Sequence, residues 1–524
     1  MNLVTCAFLC SGVLLVSESI ASSLQDPQQK TPQSQADQVE PQALTPLESA
    51  KNKEILDLCR RGVAIISVNT YASASGTKYE QNQAWFATGF IVDKEKGIVA
   101  TNKHVVGEMT VSTYELKFSD GSVLPASLLY FDPTYDFAFL KVDPKKLPQN
   151  AIELSIDETP VAVNQTVFCI GNAGKNEFSS FKGEIFNIYE SIGPFPDQTF
   201  QFSAITVGGA SGSPVFNEVG KVVGILYGGK FISGAALPIK YVKTALEALK
   251  KGETPKRQTI GAMIEYMPIE ELLQAGLIPQ DAFDMYLKEF PHANKKVLVI
   301  SRSVVSSPSH TVLRAGDIIW KVGGAFIGPE LYQLDTLINQ TNDPVSIEVY
   351  RNGKHLTLSV KPTTFNMDPY FHFVSFGGAM FYEDSFQTTS SFGAKEPGIF
   401  VSAIQRTSAF KGLTSGEWWS PDGGMKILEI DGTVIQSLND LITIIPKLKS
   451  ERRVEVRFKN LLGTQGFGDS IVNDRGELFA ILSYSSKFDS PKEYKFNHQT
   501  LEWDVKDLST VVGSTKESAK ETSK

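Results

Sequence analysis

Thr206-Val207-Gly208-Gly209-Ala210-Ser211-Gly212-Ser213-Pro214 sets three glycines around Ser211, between an apolar approach (Phe202, Ala204, Ile205) and an apolar exit (Val215, Phe216). A chain turns this tightly where residues must take positive φ, or where backbone N–H groups must come close to a ligand. A serine held in such a turn exposes its hydroxyl. The N–H groups of Gly209 and Ser211 then face one small space, which is what an oxyanion needs. Glycine-rich turns are common, so this loop gains meaning only from its company.

A serine hydroxyl is a poor nucleophile at neutral pH and needs a base to take its proton. Histidine has the intrinsic pKa for that task. Between residues 50 and 250 the only histidine is His104, in Ala100-Thr101-Asn102-Lys103-His104-Val105-Val106 at the end of an apolar run. A third group, a carboxylate, must fix the imidazole tautomer and stabilise the imidazolium. Asp136 is the candidate, because it opens the run Phe137-Ala138-Phe139-Leu140, where an unpaired buried carboxylate would be costly. Asp132, before Pro133, is a weaker alternative expected to be exposed, and Asp120 and Asp143 read as turn and surface acids.

The surrounding texture is of short β-runs broken by Gly, Asp and Pro, among them 63–68, 87–92, 97–101, 137–140, 166–170, 183–188 and 221–227. Many short strands at close spacing predict a sandwich or a pair of barrels. The order His104, Asp136, Ser211 within one β-rich unit is that of a chymotrypsin-like double β-barrel. An α/β-hydrolase would run Ser, Asp, His instead.

At these residues the chain resembles the HtrA (Deg) serine proteases with C-terminal PDZ domains. The resemblance rests on Thr101-Asn102-Lys103-His104-Val105-Val106, Tyr135-Asp136-Phe137-Ala138-Phe139-Leu140-Lys141 and Gly209-Ala210-Ser211-Gly212-Ser213-Pro214-Val215, and extends over about residues 50–460. The wording from Phe131 to Asp136 is similar to that of the fungal and plant tandem HtrA-like branch. The common block has Asn before the serine and two glycines after it, where this chain has Ala210 and Gly212-Ser213. The resemblance implies ATP-independent hydrolysis of peptide bonds in unfolded or misfolded proteins, with no cofactor and no metal. It also implies a homo-trimer or larger assembly of trimers. Where trypsin-like enzymes hold an aspartate six residues before the nucleophile, this chain has Ile205. With the apolar strand at Leu226, that predicts a first pocket for small or medium aliphatic residues rather than for Arg or Lys.

Residues 259–362 and 375–459 repeat one pattern of strand, strand, helix and closing strands, and a repeat of this length means duplicated domains. Asn352-Gly353 marks a hairpin turn in the first copy. Both copies match the PDZ order, which adds a peptide strand to a sheet edge. The expected peptide-binding loops contain Ile260 and Gly261 in the first and Phe376, Gly377 and Gly378 in the second. Both depart from the usual aromatic-leucine-glycine wording.

The domain expectation is a signal peptide at 1–21, a Gln/Pro-rich tether at 22–50, the protease domain at 51–250 and PDZ-like α+β domains at 257–362 and 370–460. A β-rich extension follows at 461–510, then a polar tail at 511–524. The charged stretch from Lys250 to Gln258, with Pro255, reads as a hinge. The apolar run Leu3 to Val16, followed by Ser19-Ile20-Ala21, predicts export to a periplasm or the exterior. No later run is long enough to span a bilayer. A net charge of −8 without basic clusters argues against nucleic acid as a partner. Cys59 and Cys169 alone make no disulfide framework. The reading is thus a serine endopeptidase for protein quality control. The alternative is a PDZ-bearing chaperone or scaffold whose protease fold mainly holds unfolded chains.

Overall fold

The computed structural model describes residues 46–74, 83–191, 198–204, 206–230, 233–304, 307–385, 396–402, 408, 410, 425–448, 452–460, 471–472, 477–485 and 490–509. The expected signal peptide, nearly all of the tether, Ile205 and the polar tail lie outside them. Two closed six-stranded barrels follow helix α1 (Pro46–Cys59). The first contains β1 (Val63–Ser73), β2 (Gln83–Asp93), β3 (Ile98–Thr101), β4 (Thr110–Phe118), β5 (Val123–Phe131) and β6 (Ala138–Lys141). The second contains β7 (Thr166–Ala173), β8 (Asn176–Glu190), β9 (Thr199–Ser203), β10 (Pro214–Phe216), β11 (Val222–Lys230) and β12 (Ser233–Pro238). Both barrels run in the order 1-2-3-6-5-4 or its reverse, so the two are topological copies. Closure removes exposed sheet edges.

Helix α2 (Lys103–Val106) caps β3, and α3 (Ile239–Lys250) leaves the second barrel with Tyr241, Val242, Ala245 and Leu246 buried along one side. That spacing is the apolar stripe of an amphipathic helix. One continuous cluster of buried side chains runs from Phe90 and Ile98, through Tyr241 and Leu246, to Ile264, Leu298 and Ile319 in the sheet that follows. The first barrel and this sheet therefore share a core.

The following sheet is six-stranded and carries the helix Leu331–Asn339. Its hairpin turns as expected at Asn352 and Gly353, both left-handed (φ 51° and 73°), with Arg351 facing Lys354. The segment after Met267 folds as two short helices, Ile269–Gln274 and Gln280–Glu289. They bury Ile269, Leu272 and Tyr286 against Val299 and Trp320 of the sheet. The last sheet has ten strands. It joins the second repeat to Glu477–Tyr484, Lys492–Asn497 and Glu502–Asp507, so the expected β-rich extension belongs to the same sheet. Phe131 of the first barrel packs on Tyr370 and Phe371 at that sheet's margin, with ring centroids 5.7 and 5.2 Å away. Cys59 and Cys169 are both buried and both free thiols.

Candidate active site

Asp136 sits in the turn between β5 and β6, fully buried. The turn is shaped by Asp132, whose Oδ1 accepts the N–H groups of Thr134 (2.9 Å) and Tyr135 (2.8 Å). The Phe137 N–H then donates to Tyr135 O (2.9 Å) across Asp136. Both carboxylate oxygens of Asp136 reach His104: Oδ1 accepts His104 N–H (2.9 Å) and Oδ2 lies 2.6 Å from His104 Nδ1. Asn102 Nδ2 donates to the Asp136 carbonyl (2.8 Å), tying Asp136 to the strand end that carries His104. With Nδ1 held there, Nε2 is left on the opposite side of the ring, and the side chain is 36% exposed. Burial lowers the imidazole pKa, but the charge and hydrogen bond of Asp136 outweigh it, so the net shift is upward. Asp132 is 1% exposed. That corrects the expectation of a surface turn acid, and the reason is its ion pair with Arg257, described below.

Ser211 lies in the loop between β9 and β10, which hydrogen bonds tie to its surroundings. The Thr88 N–H donates to Ser211 O (2.8 Å), and Gly212 N–H donates to Leu226 O (2.8 Å). Thr88 Oγ1 donates to Gly209 O (2.9 Å) and accepts Asn172 N–H (3.0 Å). Gly174 N–H donates to Gly208 O (3.0 Å). That last bond settles the orientation of one peptide plane. In a trans peptide the C=O and N–H point opposite ways, so a Gly208 carbonyl turned toward Gly174 leaves the Gly209 N–H turned away from it. Ala210 N–H closes a turn onto Val207 O (3.2 Å) with Gly209 at φ 96°, the sign a type II turn requires at its third residue. A Cβ on Gly209 would meet Asn172 O at 2.3 Å, and one on Gly212 would meet Thr88 O at 1.9 Å, so both positions demand glycine. Among the described residues neither Gly209 N–H nor Ser211 N–H donates a backbone hydrogen bond.

Serine and histidine are brought to the same seam. Ser211 is tied to Thr88 of β2, and Thr101 Oγ1, three residues before His104, donates to Thr88 O (2.8 Å). Among the described contacts the Ser211 hydroxyl and His104 Nε2 are not hydrogen-bonded. Catalytic hydrogen bonds are commonly long without substrate and tighten when it binds. Leu226 is buried and lines a cavity of about 190 Å³ with Thr206, Val207, Gly208, Ser211 and Gly229.

The second expected peptide site is arranged differently. Phe376, Gly377 and Gly378 make the turn of a hairpin between His372–Phe376 and Ala379–Glu383 (Gly377 φ 61°, Gly378 φ 75°). Ala379–Glu383 is paired on its other side with Ile399–Ser402, which leaves it no edge for an added strand. In the first copy Ala262–Pro268 is paired with Lys296–Ser303 alone among the described strands. Ile260 is buried, and Gly261 takes φ 67° in the preceding turn.

Residues 87–225, which include His104, Asp136 and Ser211, match the profile of the trypsin-like peptidase domain. Over 440 residues the chain is 29% identical to the pro-apoptotic serine protease NMA111 of Pyricularia oryzae, covering 81% of this chain and 40% of that one. Residues 87–225 thus match a trypsin-like peptidase domain, and the chain as a whole is similar to serine proteases. NMA111 of Yarrowia lipolytica is 27% identical over 438 residues, covering 81% of this chain and 42% of the relative. This chain thus spans about two fifths of the length of these relatives. The solved HtrA-type protease AlgW with decapeptide is 17% identical with a TM-score of 0.44, covering 60% of this chain and 99% of that one. The relatives correct one expectation, that of export to a periplasm or the exterior. They are fungal proteins named for apoptosis, and neither their source nor their name fits an exported, periplasmic setting. No helix among the described residues is long and apolar enough to cross a membrane.

Sequence reasoning missed Thr88, Asn172 and Gly174 as supports of the serine loop. A threonine inside a β-run reads as a strand former and nothing more.

Proposed function

We propose that the chain is a serine endopeptidase acting on unfolded polypeptide through an acyl-enzyme. Ser211 Oγ attacks the scissile carbonyl while His104 Nε2 takes its proton, then returns it to the leaving amine. Asp136 holds the imidazole in the tautomer with Nδ1 protonated and stabilises the imidazolium. The N–H groups of Gly209 and Ser211 receive the oxyanion. The observation that carries this reading is that both Asp136 oxygens reach His104. The pinned Gly208 carbonyl, which leaves Gly209 N–H toward the opposite side, supports it. Incubation with casein, without nucleotide or added metal, tests the activity; intact casein after prolonged incubation would contradict it.

The cavity beside Ser211 has no charged residue among its described lining and includes Leu226. It supports cleavage after small or medium aliphatic residues. A peptide library read by mass spectrometry should show Ala, Val and Leu-type residues before the cut, and a majority of cuts after Arg or Lys would refute the assignment.

Thr88 positions the oxyanion loop. Thr88→Val keeps the shape but removes the donor to Gly209 O and the acceptor of Asn172 N–H. Releasing the loop is expected to lower kcat about 10- to 100-fold, somewhat less than the loss of an oxyanion donor itself. KM should change little, and Thr88→Ser should restore most of the rate. An unchanged kcat in Thr88→Val would remove Thr88 from this role.

A further inference from the structure

The stretch read as a hinge contains a side chain that is not free to move. Arg257 is 12% exposed and lies between two carboxylates. Its Nε is 3.0 Å from Asp132 Oδ2, an ion pair rather than a hydrogen bond because the N–H points off the line to that oxygen. Its Nη1 donates to Asp335 Oδ2 (3.1 Å) on the helix Leu331–Asn339 of the first repeat. The Tyr135 hydroxyl donates to the same Asp335 oxygen, and the guanidinium lies over the Tyr135 ring, 4.8 Å from its centroid. From the barrel side, Lys103 Nζ donates to Pro133 O (3.2 Å).

These contacts converge on one turn. Asp132 forms it through its other oxygen, Tyr135 is its third residue after Asp132, and Asp136 follows directly. Both carboxylate oxygens of Asp136 reach His104, and where those oxygens sit depends on the backbone at 135–137. Thr134 and Tyr135 also wall the groove formed by Ile260, Ile264, Leu334 and Ile338, the groove an added peptide strand would use in this repeat. Three buried charges are not a cheap way to join two domains, since apolar side chains of similar size are often at least as stabilising. What this cluster supplies is direction, because Arg257 holds Asp132, Asp335 holds Tyr135 and Lys103 holds the Pro133 carbonyl, all in the turn that delivers Asp136.

We propose that Arg257 and Asp335 are positioning residues for Asp136, holding the turn that carries it from outside the barrel. The proposal rests on the endopeptidase reading above. Asp335→Ala removes the acceptor of both Tyr135 and Arg257. Small displacements of catalytic groups cost up to about 100-fold in rate, and a turn still held by Lys103 should lose about 10-fold in kcat with KM within about twofold. Asp335→Asn keeps an oxygen for both donors and should recover most of the rate. Wild-type kcat in Asp335→Ala, at a temperature where circular dichroism reports it folded, overturns the proposal; so does an Asn variant as slow as the Ala variant. If Asp335→Ala does not fold, Tyr135→Phe removes a single hydroxyl and should lower kcat at unchanged KM, whereas an unaltered kcat there overturns it too. Wild-type chain in the same assay separates the two readings. An inactive wild type sinks the endopeptidase assignment, while an active wild type with indifferent variants sinks this proposal alone.

Discussion

Ser211→Ala should abolish casein degradation while leaving the fold intact. Without the hydroxyl no acyl-enzyme forms, and the loss expected for a nucleophile acting in a triad is on the order of 10⁵- to 10⁶-fold in kcat. The same change should barely alter stability. The loop is held through backbone groups of Gly208, Gly209, Ser211 and Gly212, none of which the substitution touches, so the shift should stay within about 0.5 kcal/mol. The pairing of lost activity with an unmoved melting curve separates a removed nucleophile from an unfolded protein. Undiminished degradation by the variant would end the assignment of Ser211. A wild type that binds unfolded casein without cutting it would favour a scaffold that merely holds chains.

Asp136→Asn should be nearly as severe, by a different route. Asparagine fills the same buried volume but offers an NH₂ group where His104 Nδ1–H needs an acceptor, which favours the wrong tautomer; the expected loss is about 10⁴-fold in kcat. It also changes the pH profile. In the parent chain burial lowers the His104 pKa, but Asp136 overcomes that and holds it above the ordinary histidine value. The base works unprotonated, so kcat/KM should rise with pH through that raised pKa. In Asp136→Asn the acidic limb should move to lower pH, since burial and the nearby Lys103 charge then act unopposed. Stability carries the opposite sign. Between the unfolded and folded pKa values the native state binds more protons, so the histidine's contribution is full below the unfolded pKa and is lost as pH rises through the folded one. An acidic limb that does not move in the variant would mean that Asp136 does not govern His104.

What was legible in the sequence was local. His104, Asp136 and Ser211 each sit in a short block whose chemistry can be read without knowing its neighbours, and the Asn352-Gly353 turn announces its own hairpin. What stayed hidden depends on residues far apart in the chain. Thr88 reaches Gly209 across 121 positions, and nothing around Thr88 distinguishes it from any strand threonine. Arg257 lies among charged residues and Pro255, a composition that reads as a solvated linker until Asp132 and Asp335 are seen on either side. For the same reason Asp132 looked exposed, because its counter-ion is supplied from outside the barrel. The ten-stranded sheet was missed because the pairing of His372–Phe376 with Lys492–Asn497 spans more than a hundred residues, and an alternating strand does not encode which edge it will join.

The most direct test maps the adduct of a fluorophosphonate on the full chain by peptide mass spectrometry. One adduct on Ser211 is predicted, strongly reduced in His104→Ala, since the imidazole must draw the proton from that hydroxyl for it to react. A chain that stays unlabelled, or labels at another serine, or labels equally well without the imidazole, would contradict the account.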